Sequence, residues 1–298
     1  MRKPKKSEEG KLKMVRDATF NVGNTFLNEM DHQPRLKANG KYKYVINNFG
    51  RFSVDSEDCK LDRNTKLHVL KTAQSVVCLI SYSGDEQLFI CCGIIMECEA
   101  SICTTLTSAT LLRSPDGSPK LAANIKIDVY VGGGKSVEGR VVGVDFHYNV
   151  AILEFYHDPP VSIPEVMCVD NVLEVGVRAS LYSNVPVNTS NRYKLSHGDK
   201  VLALARYFQE PYDIMIAIGE VSFDYCQLDC KELLKASCKI KKNGIGGPLI
   251  NLYGEVIGIN FYHASYTPFL PMNIIIKCFK DLKENGPRFT SFTWSLGQ

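Results

Sequence analysis

The chain has 298 residues, of which 45% are hydrophobic and 22% are charged. This composition lies in the ordinary globular range and excludes disorder as the main state of the chain. Apolar runs are short, and the longest obvious one, Ile90 to Met96, is far below the roughly 18 residues of a membrane-spanning helix, so a membrane protein is excluded.

Positive charge is concentrated at the start of the chain. Residues 1–50 carry 11 Lys or Arg against 5 Asp or Glu, whereas the remaining residues carry 24 against 27. The basic start, residues 1–6, has no apolar core behind it, and two glutamates follow, so neither a secretory signal nor a transit peptide is expected. We therefore expect a cytoplasmic or nuclear protein. Clustered cations attract nucleic acid, but a solvated tail is the more usual role, so nucleic acid is an unlikely partner.

Eleven cysteines are scattered along the chain. No pair of Cys-x-x-Cys motifs and no nearby pair of histidines accompanies them, so the sequence predicts no metal site and indicates no cofactor. In the absence of a signal sequence we expect these thiols to be reduced and to pack as small hydrophobic side chains.

The first part of the chain, residues 1–68, is polar and predicts an N-terminal extension with little core of its own. From Ser75 onward, short β-branched and aromatic runs alternate with turn residues, which is typical of an all-β fold. The predicted strands of this first β unit are Val76–Tyr82, Leu88–Met96, Ile102–Thr107, Ile125–Val131, Val137–Val144 and Val150–Phe155.

A proline-rich passage interrupts the strands near the middle of the chain. Pro159, Pro160 and Pro164 exclude a central strand there and predict an interdomain linker. The predicted strands beyond it are Val177–Tyr182, Val201–Ala205, Ile214–Val221, Ala236–Ile240, Pro248–Asn251 and Val256–Tyr262.

The last predicted element is a helix over residues 271–285, where apolar side chains recur at helical spacing between a proline and a Gly-Pro pair. The chain therefore divides into an extension (1–68), a first β unit (69–158), a linker with a second β unit (159–270), and a helix with a tail (271–298).

A glycine-rich loop is the most specific signal in the sequence. Three glycines and a proline fall within the five residues Gly244-Ile245-Gly246-Gly247-Pro248, so this segment is a tight loop and neither a helix nor a regular strand. It leads into two alternating strands about a turn at Tyr253-Gly254.

This stretch resembles the nucleophile loop of the chymotrypsin-like (trypsin-like) serine proteases, most closely the HtrA or Do-like branch, whose pattern reads G-N-S-G-G-P-L-x-N-x-x-G-E-V-I-G-I. Other segments are similar to further motifs of that family, with Phe269-Leu270-Pro271 opening the final helix. These segments are Leu106–Leu112, Tyr148–Leu153 and Gly198–Leu204. The resemblance implies an all-β fold of two six-stranded antiparallel β-barrels followed by a C-terminal helix.

The positions that this family uses for catalysis carry other residues here. The resemblance places Ile245 at the serine, Thr110 at the histidine and Asn149 at the aspartate. None of these side chains supplies the nucleophile, the base or the orienting carboxylate that the chemistry requires. The oxyanion-hole-like loop would consist of Asn243, Gly244, Ile245, Gly246 and Gly247, with the N–H groups of residues 243 and 245 as donors. Asparagine tolerates a left-handed conformation, which is compatible with the family's loop shape.

No other residue is expected to replace the missing groups. His147 lies two residues before Asn149 on the same face of an extended segment, but a base without a nucleophile has nothing to activate. Cys238 lies seven residues too early to substitute for Ile245.

Three functions stay open. The favoured one is a catalytically inactive protease homologue that binds an extended peptide or protein partner in the cleft between its barrels, with a homo-oligomer also compatible. The alternatives are an active serine-type endopeptidase and a nuclear protein that associates with nucleic acid through its basic tail.

Overall fold

Strands that alternate inward and outward side chains build this protein. The structure, a computed structural model, describes residues 47–48, 61–116, 118, 120–132, 136–168, 195–207, 214–224, 226, 228 and 230–285. The expected strand Val177–Tyr182, the basic residues 1–6 and the C-terminal tail lie outside these ranges. Among the described residues, no helix has the length and apolar character needed to cross a bilayer.

The first barrel is a closed antiparallel sheet in the order β2-β3-β4-β7-β6-β5. Its strands are β2 (Val76–Ser83), β3 (Glu86–Glu99), β4 (Ile102–Ser108), β5 (Ile125–Val131), β6 (Val137–Asp145) and β7 (Val150–Tyr156). All six predicted strands of the first β unit are confirmed, each within three residues at either end.

The second barrel closes in the order β9-β10-β13-β12-β11-β8 through an additional pairing of β8 with β9. Its strands are β8 (Lys200–Arg206), β9 (Ile214–Ser222), β10 (Leu234–Ala236), β11 (Pro248–Asn251), β12 (Val256–Asn260) and β13 (Thr267–Pro271). A short strand, β1 (Asn47–Asn48), adds to β9 in parallel. The predicted pair of six-stranded antiparallel barrels is therefore confirmed.

Neighbouring residues of one strand belong to different hydrophobic clusters. Ile95 belongs to the core of the first barrel and Val201 to that of the second, whereas Ile94 and Leu202 belong to a third cluster that joins the two barrels. Because successive side chains of a strand point to opposite faces, each barrel fills its interior with one face and packs on its neighbour with the other. The C-terminal helix α2 (Met272–Asn285) contributes Ile275 to the joining cluster, which confirms the predicted helix.

An additional helix, α1 (Arg63–Ala73), was not predicted. The Asp62 carboxylate caps it by accepting from the N–H groups of Asn64 and Thr65, at 2.8 and 3.0 Å. Two of its four buried residues, Thr65 and Thr72, are threonines, so its apolar periodicity is weak. The helix packs on the second barrel, where the Thr72 hydroxyl donates to the carbonyl of Gly254 at 2.8 Å.

Two predicted elements differ from the structure. The strand predicted over Ala236–Ile240 lies earlier, as β10 (Leu234–Ala236), where Lys235 pairs with Ser222 and Ala236 with Val221 of β9. Phe269 belongs to β13 and not to the start of the helix, because it pairs with Leu234 and Asn260.

The expectation that every thiol is reduced is wrong for one pair. Cys98 and Cys103 lie directly opposite each other on β3 and β4, with Cα atoms 4.1 Å apart, and form a disulfide. Seven other described cysteines are free and buried, namely Cys78, Cys91, Cys92, Cys226, Cys230, Cys238 and Cys278.

Residues 157–165, which lie between the two barrels, form neither helix nor strand. The domain boundaries at residues 68, 158 and 270 stay predictions.

Candidate functional site

Thr110 and Asn149 lie in contact at the end of the first barrel. Thr110 belongs to a short 3-10 turn, Ala109–Leu112, that continues β4, and the Ser108 hydroxyl accepts from its N–H at 3.2 Å. Asn149 precedes β7 in a left-handed conformation, with φ of 55°, that asparagine adopts more readily than most residues. Its carbonyl accepts from the Ala109 N–H at 3.0 Å, and this bond fixes the two segments side by side.

The side chains of Thr110 and Asn149 form hydrogen bonds with each other. The Thr110 hydroxyl donates to Asn149 Oδ1 at 3.2 Å, and Asn149 Nδ2 donates to the Thr110 hydroxyl at 3.1 Å. Neither side chain titrates near neutral pH, so the pair holds no charge and exchanges no proton under those conditions.

The loop from Asn243 to Gly247 folds as a tight 3-10 turn over Lys242–Gly244. The N–H of Gly244 donates to the carbonyl of Lys241 at 2.9 Å, and the N–H of Ile245 donates to that of Lys242 at 3.2 Å. One of the two donors expected for an oxyanion hole, the Ile245 N–H, is therefore used within the loop. Asn243 lies inside the turn and does not have the positive φ that would make it left-handed.

Asn243 is completely buried at the junction of the barrels. Its Nδ2 atom lies 3.1 Å from the sulfur of Met215, and its carbonyl accepts from the Cys92 thiol at 3.1 Å. Its Oδ1 atom has no hydrogen-bond partner among the described residues. The side chain therefore has a packing position under the loop and does not face the cleft.

The same loop is clamped onto the first barrel. The carbonyl of Ile245 accepts from the N–H of Cys92 at 2.8 Å. At Gly246, whose φ is 78°, a Cβ would lie 2.3 Å from the Cys92 carbonyl oxygen and 2.9 Å from the Ser108 nitrogen. Only glycine fits this contact. The half-buried Ile245 side chain packs against the core cluster of the first barrel.

The structure therefore brings the three substituted positions to one junction. Thr110 and Asn149 touch directly, and the Gly246 backbone, next to Ile245, lies against Ser108 two residues before Thr110. His147 lies in the turn before Asn149, where its ring packs edge-on against Tyr148 with centroids 4.7 Å apart.

Burial makes the nearby thiols unreactive. It raises the pKa of Cys92 to about 12 and also that of Cys238 to about 12. A thiol with such a pKa stays protonated near neutral pH and does not act as a nucleophile there. In the part of the chain that the structure describes, no three His, Cys, Asp or Glu side chains lie together as metal ligands would.

One contributor to this junction, Arg206, was missed in the sequence. Arg206, at the end of β8, is only 3% exposed, and its guanidinium donates to the carbonyls of Val76 and Ala73. Its main-chain N–H donates to the sulfur of Cys92 at 3.1 Å. A charged residue at the end of an apolar strand is usually solvated, so the sequence contains no signal that would have identified this one as buried.

Comparison with known proteins agrees with this geometry. The family model described as the trypsin-like peptidase domain matches residues 91–259, which include both halves of the junction. The chain belongs to this family.

Individual relatives of this trypsin-like chain are distant. One is the Arabidopsis thaliana protein named "Putative protease Do-like 14", which is 24% identical over 171 residues. That match covers 54% of this chain but only 34% of the relative, so the chain spans about a third of its length. The solved structure of the serine endoprotease from Yersinia pestis superimposes with a TM-score of 0.55 at 19% identity, covering 76% of this chain and 69% of that one. At that identity the likeness supports the fold alone.

Proposed function

We propose that this trypsin-like chain is a catalytically inactive peptidase homologue that binds an extended peptide or protein segment in the cleft between its barrels. The observation that most supports this proposal is the packing and hydrogen bonding of Ile245. Its side chain is a hydrocarbon packed on the core of the first barrel, and its N–H donates to the main-chain carbonyl of Lys242. Acyl transfer needs a hydroxyl at this position and needs that N–H for the oxyanion.

The acid–base half of the reaction lacks its groups as well. In the family a histidine removes the proton of the nucleophile, and a carboxylate orients that histidine. Thr110 and Asn149 instead satisfy each other's hydrogen bonds and have no pKa near neutrality. Loss of triad members typically lowers turnover by about 10⁴ to 10⁶. With the loop N–H also engaged, we expect no measurable hydrolysis.

The surroundings of the loop support a binding role. Residues 261–263 leave β12 directly after Asn260, whose carbonyl accepts from the Gly246 N–H at 2.9 Å. These three residues belong to no strand, and Tyr262 is 42% exposed. An extended peptide can add to such a segment as an extra strand, with main-chain hydrogen bonds for affinity and side-chain pockets for specificity. Because both barrels close without the triad, this surface persists without catalysis.

Casein hydrolysis and labelling by a fluorophosphonate probe test the inactivity. We expect the purified chain to show neither. A variant with Thr110→His, Asn149→Asp and Ile245→Ser is the matched comparison. It should also hydrolyse no casein, because the N–H of residue 245 stays within the 3-10 turn. Hydrolysis or labelling of the unmodified chain would overturn the proposal.

Peptide binding is tested with an unfolded protein as the probe. We suggest fluorescein-labelled, reduced and carboxymethylated α-lactalbumin, with binding followed by anisotropy. Tyr262→Ala should weaken binding about tenfold, as expected for a tyrosine that is an energetic hot spot of an interface. Tyr156→Ala, which removes a 63% exposed tyrosine from the first barrel, is the control and should change nothing. Absence of binding, or equal effects of the two substitutions, would contradict the cleft as the binding site.

A further inference from the structure

Helix α1 presents an outward face that is centred on a leucine. Its buried residues include Thr65 and Val69, and Leu67 lies two residues from each of them. At about 100° per residue, Leu67 is therefore roughly 200° around the helix from both, which places it on the opposite face. The Leu67 side chain is accordingly 58% exposed.

Exposed apolar side chains gather around this helix. Seven large apolar side chains are exposed among the described residues, and three of them, Leu67, Ile163 and Tyr253, lie on α1 or beside it. Ile163 and Tyr253 line a cavity of about 350 Å³ that His68 and Lys71 of α1 also line. A single exposed leucine is ordinary, whereas a group of exposed apolar side chains is typical of an interaction site.

Cations flank the leucine along the helix. Arg63 and Lys71 lie four residues before and after Leu67, so both are its neighbours on the helix surface, and Lys66 lies beside Arg63 in the same way. All three cations are exposed, and none of them forms an ion pair with another described residue. The apolar centre of this face is therefore surrounded by unpaired positive charge.

The carboxylates near α1 are placed elsewhere. Asp62 uses both of its oxygens at the helix start, where Oδ1 accepts from two main-chain N–H groups and Oδ2 accepts from a hydroxyl at 2.6 Å. Glu165 and Glu255 line the cavity on the Lys71 side of the helix, whereas the other two cations do not line it. The outward face therefore keeps a positive potential even where Glu165 balances Lys71.

A protein segment that carries both leucine-like side chains and carboxylates matches this face. Its apolar side chains would cover Leu67, and its carboxylates would approach the cations one helical turn to either side. Nucleic acid would gain from the cations but would leave the leucine without an apolar contact. Binding in a bilayer surface needs a broad apolar face, and this face is apolar only at its centre.

We infer that the outward face of α1 is a docking surface for an acidic amphipathic segment of a partner protein. Leu67 is its apolar contact, and Arg63, Lys66 and Lys71 are its charged contacts. No residue of α1 belongs to the nucleophile loop or to residues 261–263, so the inference does not depend on the proposed function.

Three fluorescein-labelled peptides test this inference on the full chain by anisotropy. The first is Glu-Ala-Leu-Leu-Glu-Ala-Leu-Leu-Glu-Ala with an amidated end, the second has glutamine for each glutamate, and the third has serine for each leucine. We expect the first to bind at least about fivefold more tightly than either of the others, because exposed ion pairs and a small apolar contact each contribute modestly. Raising NaCl from about 0.05 M to about 0.5 M should weaken the first peptide and leave the glutamine peptide unchanged.

Matched variants assign the binding to α1. Leu67→Ser should weaken the first peptide about three- to tenfold, whereas Leu228→Ser, at a leucine that is 37% exposed between β9 and β10, should leave its affinity unchanged. Lys66→Gln should weaken it about two- to threefold, whereas Lys280→Gln, at an exposed lysine of α2, should not change it.

Several results would each refute the inference. They are equal affinities for the glutamate and glutamine peptides, equal effects of Leu67→Ser and Leu228→Ser, and no binding of the first peptide at about 1 mM protein. Tighter binding to oligo(dT) or to phosphatidylserine vesicles than to the first peptide, weakened by Lys66→Gln, would also refute it and would assign this face to nucleic acid or to a membrane.

Discussion

Substitution of Gly246 by alanine tests the clamp between the nucleophile loop and the first barrel. The added Cβ would lie 2.3 Å from the Cys92 carbonyl oxygen, 2.7 Å from the Thr107 hydroxyl oxygen and 2.9 Å from the Ser108 nitrogen. Two of these atoms are main chain in β3 and β4, and the Thr107 hydroxyl is fixed by its own bond to the Cys92 carbonyl at 2.6 Å. None of the three can move away without disturbing the barrel.

The magnitude follows from two contributions. A left-handed conformation costs an alanine about 1–2 kcal/mol relative to glycine, and Gly246 has φ of 78°. Forcing an extra methyl group into a packed contact costs about 1–3 kcal/mol more. We therefore expect Gly246→Ala to lower the free energy of unfolding by about 2–5 kcal/mol.

Gly84→Ala is the matched control. Gly84 also has a positive φ, 59°, but a Cβ there would meet nothing within 4 Å. This variant should lose only the conformational contribution of about 1–2 kcal/mol. Unfolding in urea, followed by far-ultraviolet circular dichroism, compares the two variants. The buried thiol of Cys92 adds a local readout, because loosening of the loop should expose it to a thiol reagent in Gly246→Ala alone. Equal destabilisation of the two variants would refute the clamp.

Two further predictions concern buried polar groups. Arg206→Leu should lower the free energy of unfolding by about 2–5 kcal/mol, because it leaves two buried main-chain carbonyls without their donors. Arg140→Leu, which removes an exposed pair with Glu154, should cost less than about 1 kcal/mol in the same urea titration, and equal losses would contradict the buried role of Arg206. Burial raises the pKa of Cys92 and of Cys238 to about 12, above the ordinary value of 9.0, so the unfolded chain loses these protons first. The stability that both thiols contribute is therefore complete below pH 9 and is lost as the pH rises toward 12. A variant with both Cys92→Ala and Cys238→Ala should show a shallower decline of the free energy of unfolding between pH 9 and pH 12. An unchanged pH dependence would contradict this prediction.

Local pattern was sufficient for the regular strands. Ile125–Val131 and Pro248–Asn251 were predicted with their observed limits, because period-2 alternation and flanking turn residues are properties of the strand itself. Helix α1 was missed because Thr65 and Thr72 hold buried positions that an apolar pattern does not reveal. Thr72, for example, is buried against Gly254 of the second barrel, which lies far along the chain.

The candidate site, too, was predicted only in part from local sequence. The loop motif pointed to residue 245, and the segments Leu106–Leu112 and Tyr148–Leu153 pointed to residues 110 and 149. The sequence also showed that none of the three carries a nucleophile, a base or a carboxylate, because side-chain chemistry is a property of residue type. Only the tertiary structure decided how the loop is folded. The carbonyl of Ile245 accepts a hydrogen bond from the N–H of Cys92, which lies about 150 residues earlier. Arg206 is buried where the two barrels meet. Such contacts depend on which surfaces the barrels bring together, and no local pattern encodes that.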